Sequence, residues 1–237
     1  MNPTQNRKIA IATGDAAGIG PEISIKSALD PSVRRLCSPI LVSDPALLQR
    51  HAQACGLPSS FHVIDRIDGA DLARHDLVVL DPRCPEAAGI GLGEVSANSG
   101  RASLAFASAA IWAALAGQVD AVVAAPQNQK AIALAGIEFD GYPSFVARET
   151  GLGPHDVFLM LCFGSTKIAH CTLHVSVKEA VSLITGERVR RVISATDSAL
   201  KRLGNPSPAI YVGGLNPPAG EDGLFGSAER KEILPAV

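Results

Sequence analysis

The sequence predicts an α/β fold, in which a mostly parallel sheet is connected by crossover helices and the chain forms two lobes. Short apolar runs rich in branched side chains alternate with stretches that have helical spacing. Glycine- and proline-rich turns follow several of these runs, as is typical of strand-to-helix connections. With 237 residues, of which 47% are hydrophobic and 19% charged, the chain can bury the core that such a fold needs.

The first strand is predicted over residues 7–13, and it runs into a turn over residues 13–22 that precedes a helix. Gly14, Gly18 and Gly20 let the main chain bend and approach a ligand closely. Their order, G-x-x-x-G-x-G, differs from the dinucleotide fingerprint G-x-G-x-x-G. The spacing therefore leaves two interpretations open: a turn that binds a ligand, and a turn that only shapes the start of the helix.

The same alternation continues along the first half of the chain. Apolar runs predict strands over residues 39–43, 61–64, 77–80 and 120–125, and helical spacing predicts helices over residues 45–55 and 100–117. Residues 81–99, rich in proline, glycine and small polar side chains, read as a long connection. Residues 126–130 follow a strand end, at the edge where open α/β sheets bind ligands. We expect a first lobe over residues 1–125 and a second over residues 126–237.

The second half of the chain contains the histidines that are candidates for a functional site. Strands are predicted there over residues 157–163, 167–175 and 209–213, and helices after residues 145 and 176, over residues 188–203, and from residue 227. Alternation along the middle strand places His170, Thr172 and His174 on one face. His174 lies two residues before Ser176, which caps the next helix in a capping box. That position suits a metal ligand or a catalytic base, and equally a histidine that is hydrogen-bonded only locally.

Composition excludes several classes of partner. The formal net charge of −2 and the aromatic content of 4% provide neither a basic surface nor stacking platforms for nucleic acid. No apolar run approaches the roughly 18 residues that a membrane span needs, and the N-terminus lacks the apolar segment of a signal peptide. Five widely spaced cysteines without a C-x-x-C pair favour reduced thiols. These features predict a cytoplasmic protein that acts on a small molecule.

Several segments, taken together in chain order, resemble the 4-hydroxythreonine-4-phosphate dehydrogenase family, known as PdxA. They are residues 14–22, 120–126, 135–137, 214–217 and 219–221. The resemblance implies an isocitrate/isopropylmalate dehydrogenase-like fold with two open α/β lobes, a cleft between them, and a homodimer. It also implies NAD or NADP, a divalent metal such as zinc or magnesium, and oxidation of a secondary alcohol to a ketone whose β-carboxylate can then be lost.

The resemblance also implies roles for particular residues. His174 aligns with a metal-binding histidine. Lys130 lies beside the position of the family's usual lysine and is the candidate catalytic residue, although a surface lysine at a helix start has the same pattern. Substrate contacts are expected at Tyr142, Pro143 and Ser144. Cofactor contacts are expected at Gly14, Asp15, Gly18, Gly20 and Asn216.

Three departures from the family pattern narrow the expected function. Pro218 stands where the family has a second metal-binding histidine, and Gln129 stands where it has the lysine. Residues 141–143 read Gly-Tyr-Pro in place of Gly-His-Thr. This last change resembles a side branch that oxidises carboxylated cis-dihydrodiols, as in terephthalate catabolism. We therefore expect a dehydrogenase for a carboxylated diol or hydroxy acid.

Three alternatives stay open. The first is the vitamin B6 enzyme itself, and the second is a catalytically silent binding protein, which Pro218 suggests. The third is a phosphate acyltransferase, which shares only the general architecture. The C-terminal segment that supplies the family's third histidine and completes its first lobe has no counterpart here, and residues 233–237 form an open apolar end. We therefore expect this chain to be the opening part of a longer protein.

Overall fold

The chain divides into two compact units, Met1–Phe139 and Asp140–Val237. The computed structural model describes residues 7–70, 72, 74–153, 156–173, 175–217, 221 and 224–237. The division falls later than the boundary expected after residue 125. The helix that follows that residue packs closely on the longest helix of the first unit, and this packing makes it part of that unit.

A five-stranded parallel sheet forms the centre of the first unit. Its strands are β1 (Arg7–Ala12), β2 (Cys37–Val42), β3 (His62–Ile64), β4 (Val78–Leu80) and β5 (Ala121–Ala124), in the spatial order β3-β4-β2-β1-β5. Ile9 of β1 pairs with Pro39 on one side and Ala121 on the other, and every pairing in the sheet is parallel. The predicted parallel sheet is confirmed. Because β1 and β5 are neighbours, the turns that follow them meet at one edge of the sheet.

Helices connect the parallel strands of the first unit. They are α1 (Gly20–Leu29), α2 (Pro31–Arg34), α3 (Pro45–Ala54), α4 (Ala97–Leu115) and α5 (Gln129–Leu134). Helix α4 begins before the predicted residue 100 because Ser96 and Ser99 cap each other's main-chain N–H groups, at 3.1 and 3.2 Å. It ends where Gly117 adopts a φ of +71°, and the next N–H donates to the carbonyl oxygen of Ala113 at 2.9 Å.

The core of the first unit lies between this sheet and its helices. Ile40, Leu41 and Val42 of β2 are fully buried. Helix α4 turns small side chains inward, and at Gly100 an added Cβ would lie 2.3 Å from the carbonyl oxygen of Ala131 in α5. The predicted close packing of the alanine-rich helix is therefore confirmed. Trp112, on the outer face of α4, is 59% exposed.

The second unit is built around two antiparallel strands. Its elements are α6 (Tyr142–Glu149), β6 (Met160–Phe163), β7 (Thr166–Ala169), α7 (Val177–Leu183) and α8 (Gly186–Arg202), then a π-helical turn (Glu229–Ile233) and a 3-10 turn (Leu234–Ala236). Ser176 caps α7 as predicted, accepting from the N–H of Glu179 at 3.2 Å. The strand predicted over residues 167–175 ends at Ala169. The turn at Gly164 pairs Ala169 with Met160, which is the first residue of β6, so β7 has no described strand partner beyond Ala169.

Two further predictions for the second unit fail in the part of the chain that is described. His170 and Thr172 lie beyond β7, so they do not share a strand face, and His174 lies outside the described residues. Residues 209–213, predicted as a strand, pair with no described strand, and Tyr211 there is 91% exposed. Across the described ranges, no helix combines the length and the apolar character required to cross a bilayer.

Candidate functional site

The turn after β1 is held by main-chain hydrogen bonds. Thr13 is fully buried, its N–H donates to the carbonyl oxygen of Val42 at 3.3 Å, and its hydroxyl bonds the hydroxyl of Ser43 at 2.9 Å. The N–H of Asp15 donates to the carbonyl oxygen of Pro126 at 2.9 Å. These bonds fasten the turn to the ends of both neighbouring strands, β2 and β5.

Glycines in this turn are required by the protein's own main chain. Gly14 has a φ of +71°, and a Cβ there would lie 2.4 Å from the carbonyl oxygen of Pro126. A Cβ on Gly20 would lie 2.0 Å from the carbonyl oxygen of Thr13, and one on Gly18 would lie 2.8 Å from a carboxylate oxygen of Asp15. The close approach that the glycines permit is thus made by the chain itself. Their predicted contacts with a cofactor stay a prediction.

Two other segments support the same turn. His51 of α3 is 5% exposed, and its Nε2 donates to the carbonyl oxygen of Ala16 at 2.8 Å. The N–H of Gly93, in the long connection before α4, donates to the carbonyl oxygen of Ala17 at 2.7 Å. Sequence reasoning missed His51, although its spacing from the buried Leu47 places it on the inward face of α3.

A polar cavity of about 530 Å³ opens between the turns that follow β1 and β5. It is lined by Asp15, Gly18, Ile19, Pro126, Gln127, Asn128 and Gln129. Asn128 caps α5 by accepting from the N–H of Ala131 at 3.1 Å, and Gln127 donates to the carbonyl oxygen of Ser103 at 3.3 Å. The structure therefore brings together two segments that the sequence assigned to ligand binding, and it surrounds the cavity with one carboxylate and three amides.

Lys130 is the second residue of α5 and is exposed. The described residues that line the cavity include Gln129 and not Lys130. Gln129 stands where the family resemblance expects a lysine, so that position does face the cavity while the lysine of this chain is one residue further on. The structure thus places Lys130 next to the candidate site rather than in its wall.

The predicted substrate residues open a helix in the second unit. Gly141, with a φ of +136°, precedes Tyr142 and Pro143 in the first turn of α6. The hydroxyl of Ser144 donates to Oδ2 of Asp140 at 2.7 Å. Tyr142 is half-buried. These residues are close together by their place in one turn, and their contact with a substrate stays a prediction.

Asn216 lies in a turn that is fastened by one carboxylate. Glu229 accepts from the N–H of Leu215 at 2.9 Å, from the N–H of Asn216 at 2.6 Å, and from Nδ2 of Asn216 at 3.0 Å. Glu229 is 6% exposed, and hydrogen bonds from the main chain and side chain of Asn216 lower its pKa to about 2. Sequence reasoning assigned Asn216 to the cofactor and missed Glu229.

The cysteines and the possible metal ligands give no further site among the described residues. All five cysteines are free, and burial raises the pKa of the Cys84 thiol to about 11, so this thiol stays protonated. Within the described ranges, no three histidine, cysteine, aspartate or glutamate side chains come together as a metal site. His174 and Pro218, which decide the predicted metal site, lie outside those ranges. The described residues alone therefore do not fit a divalent metal.

Comparisons with known proteins give a consistent set of relatives. A family model described as pyridoxal phosphate biosynthetic protein PdxA matches residues 35–237. The 1,2-dihydroxy-3,5-cyclohexadiene-1,4-dicarboxylate dehydrogenase of a Comamonas species is 35% identical over 98% of this chain and 69% of its own length. D-threonate 4-phosphate dehydrogenase of Cupriavidus necator is 34% identical, over 97% and 68% respectively.

The fold comparison agrees with these relatives. The crystal structure of 4-hydroxythreonine-4-phosphate dehydrogenase from Klebsiella pneumoniae is similar with a TM-score of 0.86 at 33% identity. The similarity covers 98% of this chain and 70% of that one. Sequence and fold therefore point to one family of dehydrogenases.

Proposed function

Because the chain belongs to the PdxA family of pyridoxal phosphate biosynthetic proteins, we propose that it is a nicotinamide-dependent dehydrogenase for a carboxylated diol or hydroxy acid. The relatives named above are dehydrogenases, and one of them is named for a cyclohexadiene diol dicarboxylate. The reaction takes a hydride from the carbinol carbon and a proton from its oxygen, leaving a ketone. A nicotinamide, when bound, supplies the hydride acceptor.

The cavity between the turns after β1 and β5 carries this proposal. Asp15 can accept hydrogen bonds from hydroxyl groups, the amide of Gln129 can both donate and accept, and the NH₂ group of Asn128 can donate, because its oxygen already caps α5. Lysine and arginine are absent from its described lining, so a phosphate dianion would find no charged partner there. This chemistry suits the hydroxyls of a ribose or a diol. We assign Asp15, with the turn shaped by Gly14, Gly18 and Gly20, to the nicotinamide cofactor.

Lys130 is the proposed catalytic residue. It follows Gln129 of the cavity wall in the sequence, and proton transfer by a positioned side chain contributes typically about 10²- to 10⁴-fold to a rate. Tyr142, Pro143 and Ser144 are the proposed substrate residues. Their Gly-Tyr-Pro context favours a carboxylated substrate over the phosphorylated substrate of the vitamin B6 pathway.

The remaining partners are proposed from the family. A divalent metal is proposed because His174 aligns with a metal-binding histidine of the family. No step of the reaction is assigned to the metal. A homodimer and a cytoplasmic location are likewise proposed. Exposed apolar side chains in the second unit, among them Phe163 at 60% and Val177 at 83%, support the homodimer, since surfaces of this kind often bind a partner. Light scattering at several protein concentrations would measure it.

The experiment that tests the function is an assay of NAD and NADP reduction with two substrates. We expect NADH or NADPH to form with a carboxylated cis-dihydrodiol and much less with a phosphorylated hydroxy acid. The reverse preference would favour the vitamin B6 enzyme. No reduction with either substrate, together with no binding of NADH, would favour the silent binding protein.

Lys130→Met tests the catalytic assignment. We expect kcat to fall by about 100-fold while the cofactor still binds, because the variant removes the amine and keeps the apolar stem. Lys178→Met, at another exposed lysine, is the matched control and should leave kcat unchanged. The double change Gln129→Lys with Lys130→Gln moves the amine into the cavity wall and should retain activity. Full activity in Lys130→Met would show that Lys130 is only a surface lysine.

A further inference from the structure

Glu229 is a buried carboxylate that accepts three hydrogen bonds from two consecutive residues. Its Oε1 accepts hydrogen bonds from the main-chain N–H groups of Leu215 and Asn216, at 2.9 and 2.6 Å, and its Oε2 accepts one from Nδ2 of Asn216 at 3.0 Å. Glu229 is 6% exposed and Leu215 is 38% exposed, so the acceptor is better shielded from water than the turn that it holds. One side chain therefore fixes both the main chain of the turn and the orientation of an amide within it.

The amide of Asn216 is confined from a second direction. Gly226 has a φ of +137°, and a Cβ added there would lie 3.1 Å from Nδ2 of Asn216. The donor group of Asn216 is thus engaged by Glu229 and bordered by the main chain at Gly226. One hydrogen of this NH₂ group is donated to Glu229, and turning the amide would break that bond, so the amide oxygen of Asn216 is held in a fixed direction.

The segment that carries Glu229 also holds the start of a helix. Oε2 of Glu232 accepts from the N–H of Gly186, the first residue of α8, at 2.7 Å. A Cβ on Gly186 would lie 3.1 Å from the main-chain oxygen of Glu232, so the two segments are in close contact. The π-helical turn Glu229–Ile233 therefore connects the turn of Asn216 to α8 through two carboxylates.

We propose that Glu229 is a positioning residue for the cofactor site, acting through Asn216 and the turn of residues 213–217. The role rests on the proposed function and on the prediction that Asn216 contacts the nicotinamide cofactor. Glu229 orients the amide and holds the main chain of the turn, and it does not itself touch the cofactor. Hydrogen bonds from Asn216 hold the pKa of this carboxyl far below its usual range, which keeps the acceptor ionised.

A pair of reciprocal substitutions tests the proposal. Glu229→Gln brings an amide NH₂ against the NH₂ of Asn216, and Asn216→Asp brings a carboxylate against Glu229. The double variant restores one donor and one acceptor with a single negative charge, so a positioning role predicts recovery. Glu187→Gln, at an exposed residue in the first turn of α8, makes the same charge change away from the turn and is the matched control.

Two readouts distinguish the role from the proposed function. Amide hydrogen exchange at Leu215 and Asn216 reports the turn directly, and NADH titration with steady-state kinetics reports the Kd, KM and kcat. In each single variant, the amide hydrogens of residues 215 and 216 should exchange faster. The Kd and KM for the cofactor should rise by about 10-fold, with a smaller change in kcat. In the double variant both readouts should return to wild-type values.

The other outcomes overturn the proposal in separable ways. In the double variant, amide hydrogen exchange could return to the wild-type rate while the NADH affinity stays low. That result would mean that Asn216 binds the cofactor through its NH₂ group. Single variants that exchange and bind like the wild type would remove the positioning role alone. A wild-type protein that neither binds NADH nor turns over would overturn the proposed function, and this role with it, even if the exchange pattern followed the expected cycle.

Discussion

Two turns that the sequence assigned to cofactor binding are stabilised by different means. The turn after β1 is held mostly by main-chain hydrogen bonds, with added side-chain bonds from Thr13 and His51, and its glycines allow main-chain segments to approach within contact distance. The turn at residues 213–217 is held by the side chain of Glu229. The first turn should therefore be affected most by added bulk. The second should respond to a change of charge and tolerate bulk.

The surroundings of the two turns differ in the same way. Four of the six residues of β2, beside the first turn, are buried, whereas β6 in the second unit has no buried residue. A parallel sheet covered by helices supplies neighbours for main-chain contacts, and a two-stranded antiparallel hairpin does not. A turn without such neighbours needs its N–H groups satisfied by a side chain, which is the role that Glu229 has.

The largest expected effect is on the first turn. Gly20→Ala places a Cβ 2.0 Å from the carbonyl oxygen of Thr13, so the main chain must move. We expect the free energy of unfolding of the first unit to fall by about 3 kcal/mol or more. Gly213→Ala, in the second turn, meets no atom within 4 Å and should change it by no more than about 0.5 kcal/mol. Equal losses in urea titrations of the two variants would contradict the comparison.

An intermediate effect is expected from acid on the second turn. The pKa of Glu229 is lowered to about 2, from an ordinary value of 4.5. A carboxyl with a lowered pKa stabilises the folded state fully above its unfolded pKa, and this contribution is lost as the pH falls through the folded value. Between about pH 4.5 and 2 the wild type should therefore lose more thermal stability than Glu229→Gln. Parallel melting temperatures of the two proteins over that range would exclude a stabilising carboxylate.

The smallest effect is expected where β5 begins. Asp120 accepts from Arg7 at 2.7 Å and from the N–H of Lys8 at 2.9 Å, and these bonds lower the pKa of its carboxyl. The pair is exposed, so Asp120→Asn should cost only about 0.5 kcal/mol in urea unfolding. Asp197→Asn, which removes an exposed pair with Lys201 in α8, should cost a similar amount. A loss several times larger in the first variant would show that the first unit also depends on charge.

Much of the first unit could be predicted from the sequence. Its strands are short apolar runs, helix α3 begins at the predicted residue 45 after the capping residue Asp44, and these local signals agree with the parallel sheet that forms. The second unit was harder because the apolar run at residues 157–163 is only partly a strand, and the alternation along residues 167–175 does not reveal that β7 ends at Ala169. A local sequence pattern predicts whether a segment forms a helix or a strand better than it predicts which other elements will pack against that segment.

The position of the site could be predicted from the sequence, but most of the contacts within it could not. Glycine spacing identified the turn after β1, but only the fold shows that Gly14 lies against the main chain of Pro126. Glu229 is 13 residues from Asn216, in an irregular π-helical turn, and no periodic signal joins them. Contacts of this kind depend on tertiary structure, so a single sequence does not report them.

The aromatic side chains are divided between the units in a way that gives each its own optical signal. Trp112 on α4 is the single tryptophan, while both tyrosines, Tyr142 and Tyr211, belong to the second unit. Trp112 is largely exposed, so its emission should already be red-shifted in the native protein and should change mainly through quenching. Tryptophan emission and tyrosine absorbance can then follow the unfolding of the two units separately within one unlabelled sample.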